Sequence, residues 1–492
     1  MKSSRFQLVV MTAAVALLLF FLTRLTLLVI SWQEAAPRLS DLVEIFAAGI
    51  LFDGGFIVYV LILPVLYCWL VPQKIWESRW HGYWIRGLAF CGIYAACFIM
   101  VAEFLFWDEF RVRFNFIAID YLIYRREVTD NIFQSYPVIP LLALLLGVAL
   151  LLYQPCRPWI ARALLCREQF SRRSLVVVTF MLLPFASFLT LNQSLRQISD
   201  NTYLCELASN GPYQFVAAFR NNELDFDQFY ARLPTSDADR LLRAEMVVSN
   251  VGFLSQNPFD IRRDIEQTGP EKRLNVILLM VESLSSDFLG YFGNDRQLTP
   301  NLDQLIGEGL FFANFYATGT RTTRGLEAVT LSIPPTPGRS IIKRLGRESD
   351  QWSLGNVLNA QGYVSYFAYG GRGYFENMNS FFSGNGYQVL DQTTIPASEI
   401  GFSNAWGMAD EDLYAQVLKI ADRDSQQQQP FFVHVMTTSN HRPYTYPEGR
   451  IDIASGTGRD GAVKYSDYAI GEFLHQARQR PWFAETVFCD CR

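Results

Sequence analysis

Two groups of residues, about forty positions apart, have the types and the setting for group-transfer chemistry. Glu282 closes the apolar run Val276-Ile277-Leu278-Leu279-Met280-Val281, and hydroxyl and guanidinium groups cluster in Gly319-Thr320-Arg321-Thr322-Thr323-Arg324-Gly325, just ahead of a helical run from Leu326. A run so rich in Val, Ile and Leu, ended by polar residues, reads as a buried parallel strand. Ligands of open α/β sheets bind outside the carboxyl ends of such strands. There a carboxylate can bind a divalent cation and a helix-start hydroxyl can act as a nucleophile. The helix end, with Arg321 and Arg324, can receive an anion. Phosphoryl or sulfuryl transfer suits this set. The same spacing also fits a helix-capping threonine and a solvent-facing glutamate.

The elements that must position these groups follow from periodicity. Strand-like runs occur at 276–281, 311–316, 364–369, 431–437 and 485–488, alternating with helix-like runs at 301–309, 325–332, 353–361, 410–421 and 467–478. This alternation predicts an α/β domain with a mostly parallel sheet and helices on both faces. Strand ends near Glu282, Gly319, Gly370 and Ser439 would gather the motifs along one edge. His441 follows the run 431–437 in a Ser-Asn-His-Arg-Pro-Tyr turn. From there it can donate to a phosphate oxygen or protonate a leaving alcohol. His434, inside that run, reads as a core residue. Arg339 to Arg347 carries four basic side chains after a proline-rich turn and reads as a solvated surface loop.

The first part of the chain has another character. Five apolar segments, about 8–31, 42–71, 87–107, 137–153 and 175–192, predict five membrane-spanning helices. Residues 154–174 carry five arginines against Glu168, and residues 72–86 carry Lys74, Arg79 and Arg86, so both loops read as cytoplasmic. Arg111, Arg113, Arg125 and Arg126 in loop 108–136 count against this orientation. Five spans from an inside start place everything after about residue 193 outside the cytoplasm. Glu44 and Asp53 fall in the second segment, where Glu44 fits the interface and Asp53 a pairing with a neighbouring helix. Residues 193–270 read as an amphipathic linker, with apolar stretches from Phe215 to Phe219 and from Asp225 to Tyr230.

Composition narrows the function classes. The 492 residues are half hydrophobic and carry a net charge of −5, which gives no basis for a nucleic-acid partner. The eight cysteines form no Cys-x-x-Cys or Cys/His spacing, so neither a disulfide framework nor a zinc site is indicated.

The wording of four motifs goes further. The run Val276 to Glu282, the segment Leu298-Thr299-Pro300-Asn301-Leu302, Gly319-Thr320-Arg321-Thr322 and the stretch Thr437 to Tyr444 resemble the sulfatase-like domain of the lipoteichoic acid synthase and phosphoglycerol transferase family, within the alkaline phosphatase superfamily. The resemblance covers about residues 270 to 488, and the apolar segments before it also fit. It implies a transmembrane domain at 1–192, the linker at 193–270 and a catalytic domain at 271–492. It also implies an inner-membrane enzyme that moves a phosphoglycerol-like or phosphoethanolamine-like group from a membrane phospholipid donor to an extracytoplasmic glycan or lipid acceptor. The nucleophile would be a threonine, Thr322 by the Gly-Thr-Arg-Thr wording or Thr323 by a gapless comparison. Glu282 and that hydroxyl would hold a divalent metal ion (Mn, Mg or Zn). Arg321, Arg324, Arg372, Phe375, Asn377 and His441 would line the substrate pocket.

Two departures stand out. The lipoteichoic acid synthases use an acidic residue, a Trp and an Arg where Gly371, Phe375 and Asn377 stand here, which puts a glycerophosphate substrate in question. The family also completes its metal site with an Asp-His pair after a late strand, whereas this chain reads Cys489-Asp490-Cys491-Arg492. The resemblance therefore implies a domain incomplete at its C-terminal end and an impaired activity. The alternatives are a sulfatase- or phosphodiesterase-type hydrolase and a non-catalytic lipid-binding membrane protein. The segment 319–325 contains no Cys-x-Pro-x-Arg-like motif of the kind a sulfatase needs.

Overall fold

The computed structural model describes residues 4–220, 233–247, 251–257, 260–265, 269–319, 321–334, 336 and 339–491. The expected amphipathic stretch from Asp225 to Tyr230, Thr320 of the hydroxyl cluster, and Pro335, Pro337 and Gly338 lie outside the described residues. The chain divides into two compact units, residues 1–125 with 136–222, and residues 126–135 with 223–492.

Among its described residues the first unit contains five helices long and apolar enough to cross a membrane: Gln7–Ile30, Leu39–Leu70, Arg79–Phe110, Val138–Leu164 and Phe170–Thr190. The chain is a multi-pass membrane protein, and with arginine-rich loops on the cytoplasmic side an odd number of crossings places the second unit outside the cytoplasm. Lipid-facing apolar side chains cost nothing in a bilayer, whereas an unpaired charge there is expensive. Asp53 is accordingly buried and paired. Arg24 of the first span reaches it in a bidentate contact of 2.7 and 2.8 Å, and Asn210 Nδ2 donates to it at 2.8 Å. Glu44 is exposed. The apolar linker stretch from Phe215 to Phe219 lies in the helix Gly211–Arg220, which belongs with the membrane helices.

The second unit opens with a short antiparallel pair, β1 (Val251–Phe253) and β2 (Arg263–Ile265), which sequence reasoning did not anticipate. Its main sheet contains β3 (Asn275–Met280), β4 (Val364–Tyr369), β5 (Gln388–Asp391), β6 (Phe431–Met436) and β7 (Thr486–Cys491). All neighbours are parallel, in the order β5-β4-β6-β3-β7. The central strand β6 is buried along its whole length.

Side chains alternate between the two faces of the sheet. Ile277, Leu279, Val281, Tyr366, Ala368, Val433 and Val435 pack with apolar residues of helices Pro300–Glu308, Asp410–Gln426 and Arg459–Ala477. Each of the Ile, Leu and Val side chains among them stabilises the fold by about 1.5–3 kcal/mol when fully buried. On the other face Phe367 stacks on Phe382 and Tyr387 approaches Phe432. Helix Thr322–Leu331 sits so close to this face that a Cβ on Gly325 would lie 2.6 Å from Met280 Cε.

One expected strand does not form. Residues 311–316 are turn and irregular structure, mostly exposed, with Phe311 against Tyr291 and Phe292. A strand exists only through a ladder partner. The free side of β3, where such a segment would pair, is taken by β7. In compensation the sheet gains β5, whose four residues are too few and too polar at their ends to stand out in the sequence.

His434 lies in β6, fully enclosed by Phe367, Phe382 and Phe432, and neither ring nitrogen meets a hydrogen-bond partner among the described residues. Burial lowers its pKa from 6.5 to about 3. The folded protein therefore binds no proton here where the unfolded chain does, so His434 costs stability as pH falls from about 6.5 toward about 3. In that window a His434→Leu variant should lose stability less steeply with acid than the parent, by on the order of 1.4 kcal/mol per pH unit. Denaturant unfolding of the two proteins at pH 4.5 and pH 7.5 checks this; parallel pH dependences would contradict it.

Candidate active site

The parallel register levels the strand ends. Met280 pairs with Met436, Tyr369 with both Met436 and Asp391, and Met280 with Cys491. The loops that leave β3, β4 and β6 therefore open on one edge of the sheet. Glu282 lies just beyond β3, and the β6 loop holds its backbone from both sides. Its N–H donates to Thr437 Oγ1 at 3.0 Å, and its carbonyl accepts from Asn440 Nδ2 at 3.0 Å. The following residue, Ser283, has φ +52°, a left-handed conformation that turns the chain sharply and lets its hydroxyl donate to Glu282 Oε1 at 2.8 Å.

Thr322 is the first residue of helix Thr322–Leu331. Its Oγ1 donates to Glu282 Oε2 at 3.1 Å. Thr323, the other candidate, is 2 % exposed and turned into the packing of the helix. The structure thus sets Thr322, rather than Thr323, against the strand-end carboxylate. Burial raises the Glu282 pKa above the ordinary carboxylate value, against the opposing hydrogen bonds from Ser283 and Thr322.

The cations around this pair are held by carboxylates. Glu376, 1 % exposed, faces Arg321 Nη2 and Lys343 Nζ, each at 2.9 Å. Burial opposes its ionisation, but these two cations hold its pKa below the usual value. Arg324 pairs with Glu327 at 2.7 Å, one helical turn along, and Glu327 also accepts the N–H of Ile341. The basic loop 339–347 is therefore not simply a solvated surface. Arg339 and Arg347 are exposed, but Ile341 and Ile342 are buried and carry Lys343 into the site.

His441 leaves β6 and stacks on Trp406, with ring centroids 3.8 Å apart. Phe375 packs edge-on against the same indole at 5.6 Å. Arg372 Nη1 lies 3.4 Å from the carbonyl of Ala405. Asn377 is spent on structure, with φ +64° and its Nδ2 donating to the carbonyl of Ile342 at 2.8 Å. Sequence reasoning gave no role to Thr437 and Asn440, although both lie in the stretch Thr437 to Tyr444, and it missed Glu376, Trp406 and Asp410. Asp410 is buried and accepts the N–H groups of Thr438 and Ser439, which fixes the turn that carries Asn440 and His441. Its signal was present as Asp410-Glu411-Asp412 at a helix start, where acids favour the helix dipole.

Glu282 and Thr322 offer two oxygens of the kind that a divalent ion takes. Among the described residues no group of three or more His, Cys, Asp and Glu could hold a metal ion. Asp490 pairs with Leu279 in the β3–β7 ladder, short of the level of Glu282. Two protein donors fall below the three or four of a zinc site and the six or more of a calcium site. The residues described do not make a complete metal centre.

Residues 274–489 match the family model described as Sulfatase. Over 241 residues the chain is 27 % identical to phosphoglycerol transferase I of Citrobacter koseri, a match covering 46 % of this chain and 31 % of that protein. The chain thus spans about a third of the length of the curated relatives it matches. Among solved structures, a protein in the alkaline phosphatase superfamily from Vibrio parahaemolyticus shares 38 % identity with a TM-score of 0.48, covering 53 % of this chain and 64 % of that one. The lipoteichoic acid synthase LtaP from Listeria monocytogenes shares 22 % identity with a TM-score of 0.39, over 44 % and 55 % of the two chains.

Glu376 sits between two cations beside Thr322. Removing a carboxylate from such a buried arrangement leaves charge uncompensated and costs about 3–5 kcal/mol. A Glu376→Ala variant should therefore unfold at a clearly lower temperature than the parent in the same detergent, with Glu376→Gln in between. Equal melting temperatures for all three would show that Arg321 and Lys343 do not depend on it.

Proposed function

We propose that this chain, whose residues 274–489 form a sulfatase-family domain, is a membrane-anchored phosphotransferase that works through a phospho-threonine intermediate on Thr322. The observation that carries the proposal is the 3.1 Å hydrogen bond from Thr322 Oγ1 to Glu282 Oε2 at the carboxyl edge of the sheet. The donor is a membrane phospholipid with a phosphoglycerol-like or phosphoethanolamine-like headgroup. The acceptor is the hydroxyl of an extracytoplasmic glycan or lipid.

In the first half-reaction Thr322 Oγ attacks the phosphorus while its proton passes to Glu282 Oε2. The raised pKa of Glu282 makes it a better proton acceptor, and its fixed backbone holds the oxygen in place. The bond from phosphorus to the lipid alcohol breaks, and a diacylglycerol-type alcohol leaves with a proton from His441. The helix N-terminus at Thr322 and the nearby Arg321 and Lys343 stabilise the charge on the phosphoryl oxygens. In the second half-reaction the acceptor hydroxyl attacks the phospho-threonine and gives its proton to His441, the bond from phosphorus to Thr322 Oγ breaks, and the Thr322 oxygen recovers its proton from Glu282. A divalent ion is part of the family resemblance. Because the described residues supply two donors and no complete centre, each step here uses the chain's own groups.

The test is release of diacylglycerol from labelled phosphatidylglycerol and phosphatidylethanolamine by the full chain in detergent. Thr322→Ala and Glu282→Ala should each lower turnover at least about 10²–10³-fold, the cost of removing a group that acts on the transition state. Thr323→Val, which keeps the packing volume, should stay within a few-fold of the parent. Turnover that survives Thr322→Ala and is lost in Thr323→Val would move the nucleophile by one residue. Turnover indifferent to Glu282→Ala would remove the proposed base.

A further inference from the structure

The helix Arg125–Ser135 lies in sequence between the third and fourth spans, yet residues 126–135 pack with the C-terminal unit. Its Glu127 is 3 % exposed. Such a carboxylate is costly unless it is paired, and its partners are specific. It accepts a hydrogen bond from the Tyr374 hydroxyl, and its Oε1 lies 3.7 Å from Arg372 Nη1. Two turns further along the same helix face, Gln134 Oε1 accepts the N–H of Ala405 at 3.0 Å. Glu127 and Gln134 thus hold two different loops of the catalytic domain, and Arg372 joins those loops through the carbonyl of Ala405.

These two loops carry residues of the proposed site. In the first, Phe375 packs on Trp406 and Glu376 holds Arg321, the residue before Thr322. In the second, Trp406 is the ring on which His441 stacks. Phe375 is buried, and Glu376 and Asn377 have φ of +52° and +64°, left-handed conformations that persist only where surrounding contacts impose them. The contacts from helix Arg125–Ser135 fall on this strained loop and on its neighbour.

We infer that helix Arg125–Ser135 is a wall of the substrate pocket and that Glu127 is a positioning residue. Through Arg372 and Tyr374 it holds the loop 370–377, and with it Arg321 and the Trp406–His441 stack, in the arrangement that receives the phosphodiester. This rests on the transferase reading. It also gives Arg372 a positioning role, as the link between Glu127 and the carbonyl of Ala405.

The experiment uses the full chain in detergent with phosphatidylglycerol as donor. Glu127→Ala and Arg372→Ala should each raise KM about ten-fold with a smaller fall in kcat. The double variant should be no worse than either single one, because the two act as a unit. Glu127→Asp should recover part of the loss. Hydrogen exchange of the peptide spanning 370–377 should quicken in Glu127→Ala, and this readout needs no activity. If Glu127→Ala disturbs folding, Glu127→Gln and Tyr374→Phe carry the same comparison. Unchanged KM and unchanged exchange in Glu127→Ala, with turnover still abolished in Thr322→Ala, would overturn this inference and leave the transferase reading standing. Turnover indifferent to Thr322→Ala and Glu282→Ala would overturn the transferase reading, and hydrogen exchange alone would then decide whether Glu127 positions the loop.

Discussion

The parallel pairing of β3 with β6 is the constraint on which the site depends. The register that sets Met280 beside Met436 brings the residue after one strand against the loop after the other. Thr437 and Asn440 can then bind both backbone groups of Glu282. A one-residue slip would break these bonds and send every side chain of β3 to the opposite face. Both faces are filled with large apolar groups, so the slip is strongly disfavoured. The position of the carboxylate is therefore set by the same packing that holds the domain together.

Around that fixed point stand several features that are costly in a fold. Ser283, Glu376 and Asn377 adopt left-handed backbone conformations without being glycine. Glu282, Glu327, Glu376 and Asp410 are carboxylates in surroundings where burial works against their charge. Each is held by named donors: Thr322 and Ser283, Arg324 and Ile341, Arg321 and Lys343, and the turn 438–439. Backbone turns and donor-held carboxylates of this kind fix their groups before any ligand arrives.

The sequence made the centre of this site legible because its signals are local. The apolar run ending at Glu282 and the helix start at Thr322 each declare themselves within ten residues, and the sheet edge follows from the alternation of elements. What depended on distant partners was not legible. Residues 311–316 have strand-like composition, but the place beside β3 goes to β7, about 170 positions later. Asp53 called for a partner, yet nothing local pointed to Arg24. Glu127 lies in a loop between membrane spans, and only the fold brings it to Arg372. Which of Thr322 and Thr323 faces Glu282 needed the geometry as well, since the two hydroxyls differ by one position and by burial rather than by chemistry.

The central claim is that the Thr322 oxygen carries the transferred group, and mass spectrometry of the acid-quenched protein tests it most directly. The full chain, incubated with phospholipid donor and no acceptor, should yield one peptide containing Thr322 that is heavier by the headgroup phosphoryl moiety. The adduct should be absent from Thr322→Ala and strongly reduced in Glu282→Ala. Continued release of diacylglycerol with no adduct on that peptide, or an adduct on Thr323 or another residue, would contradict the account.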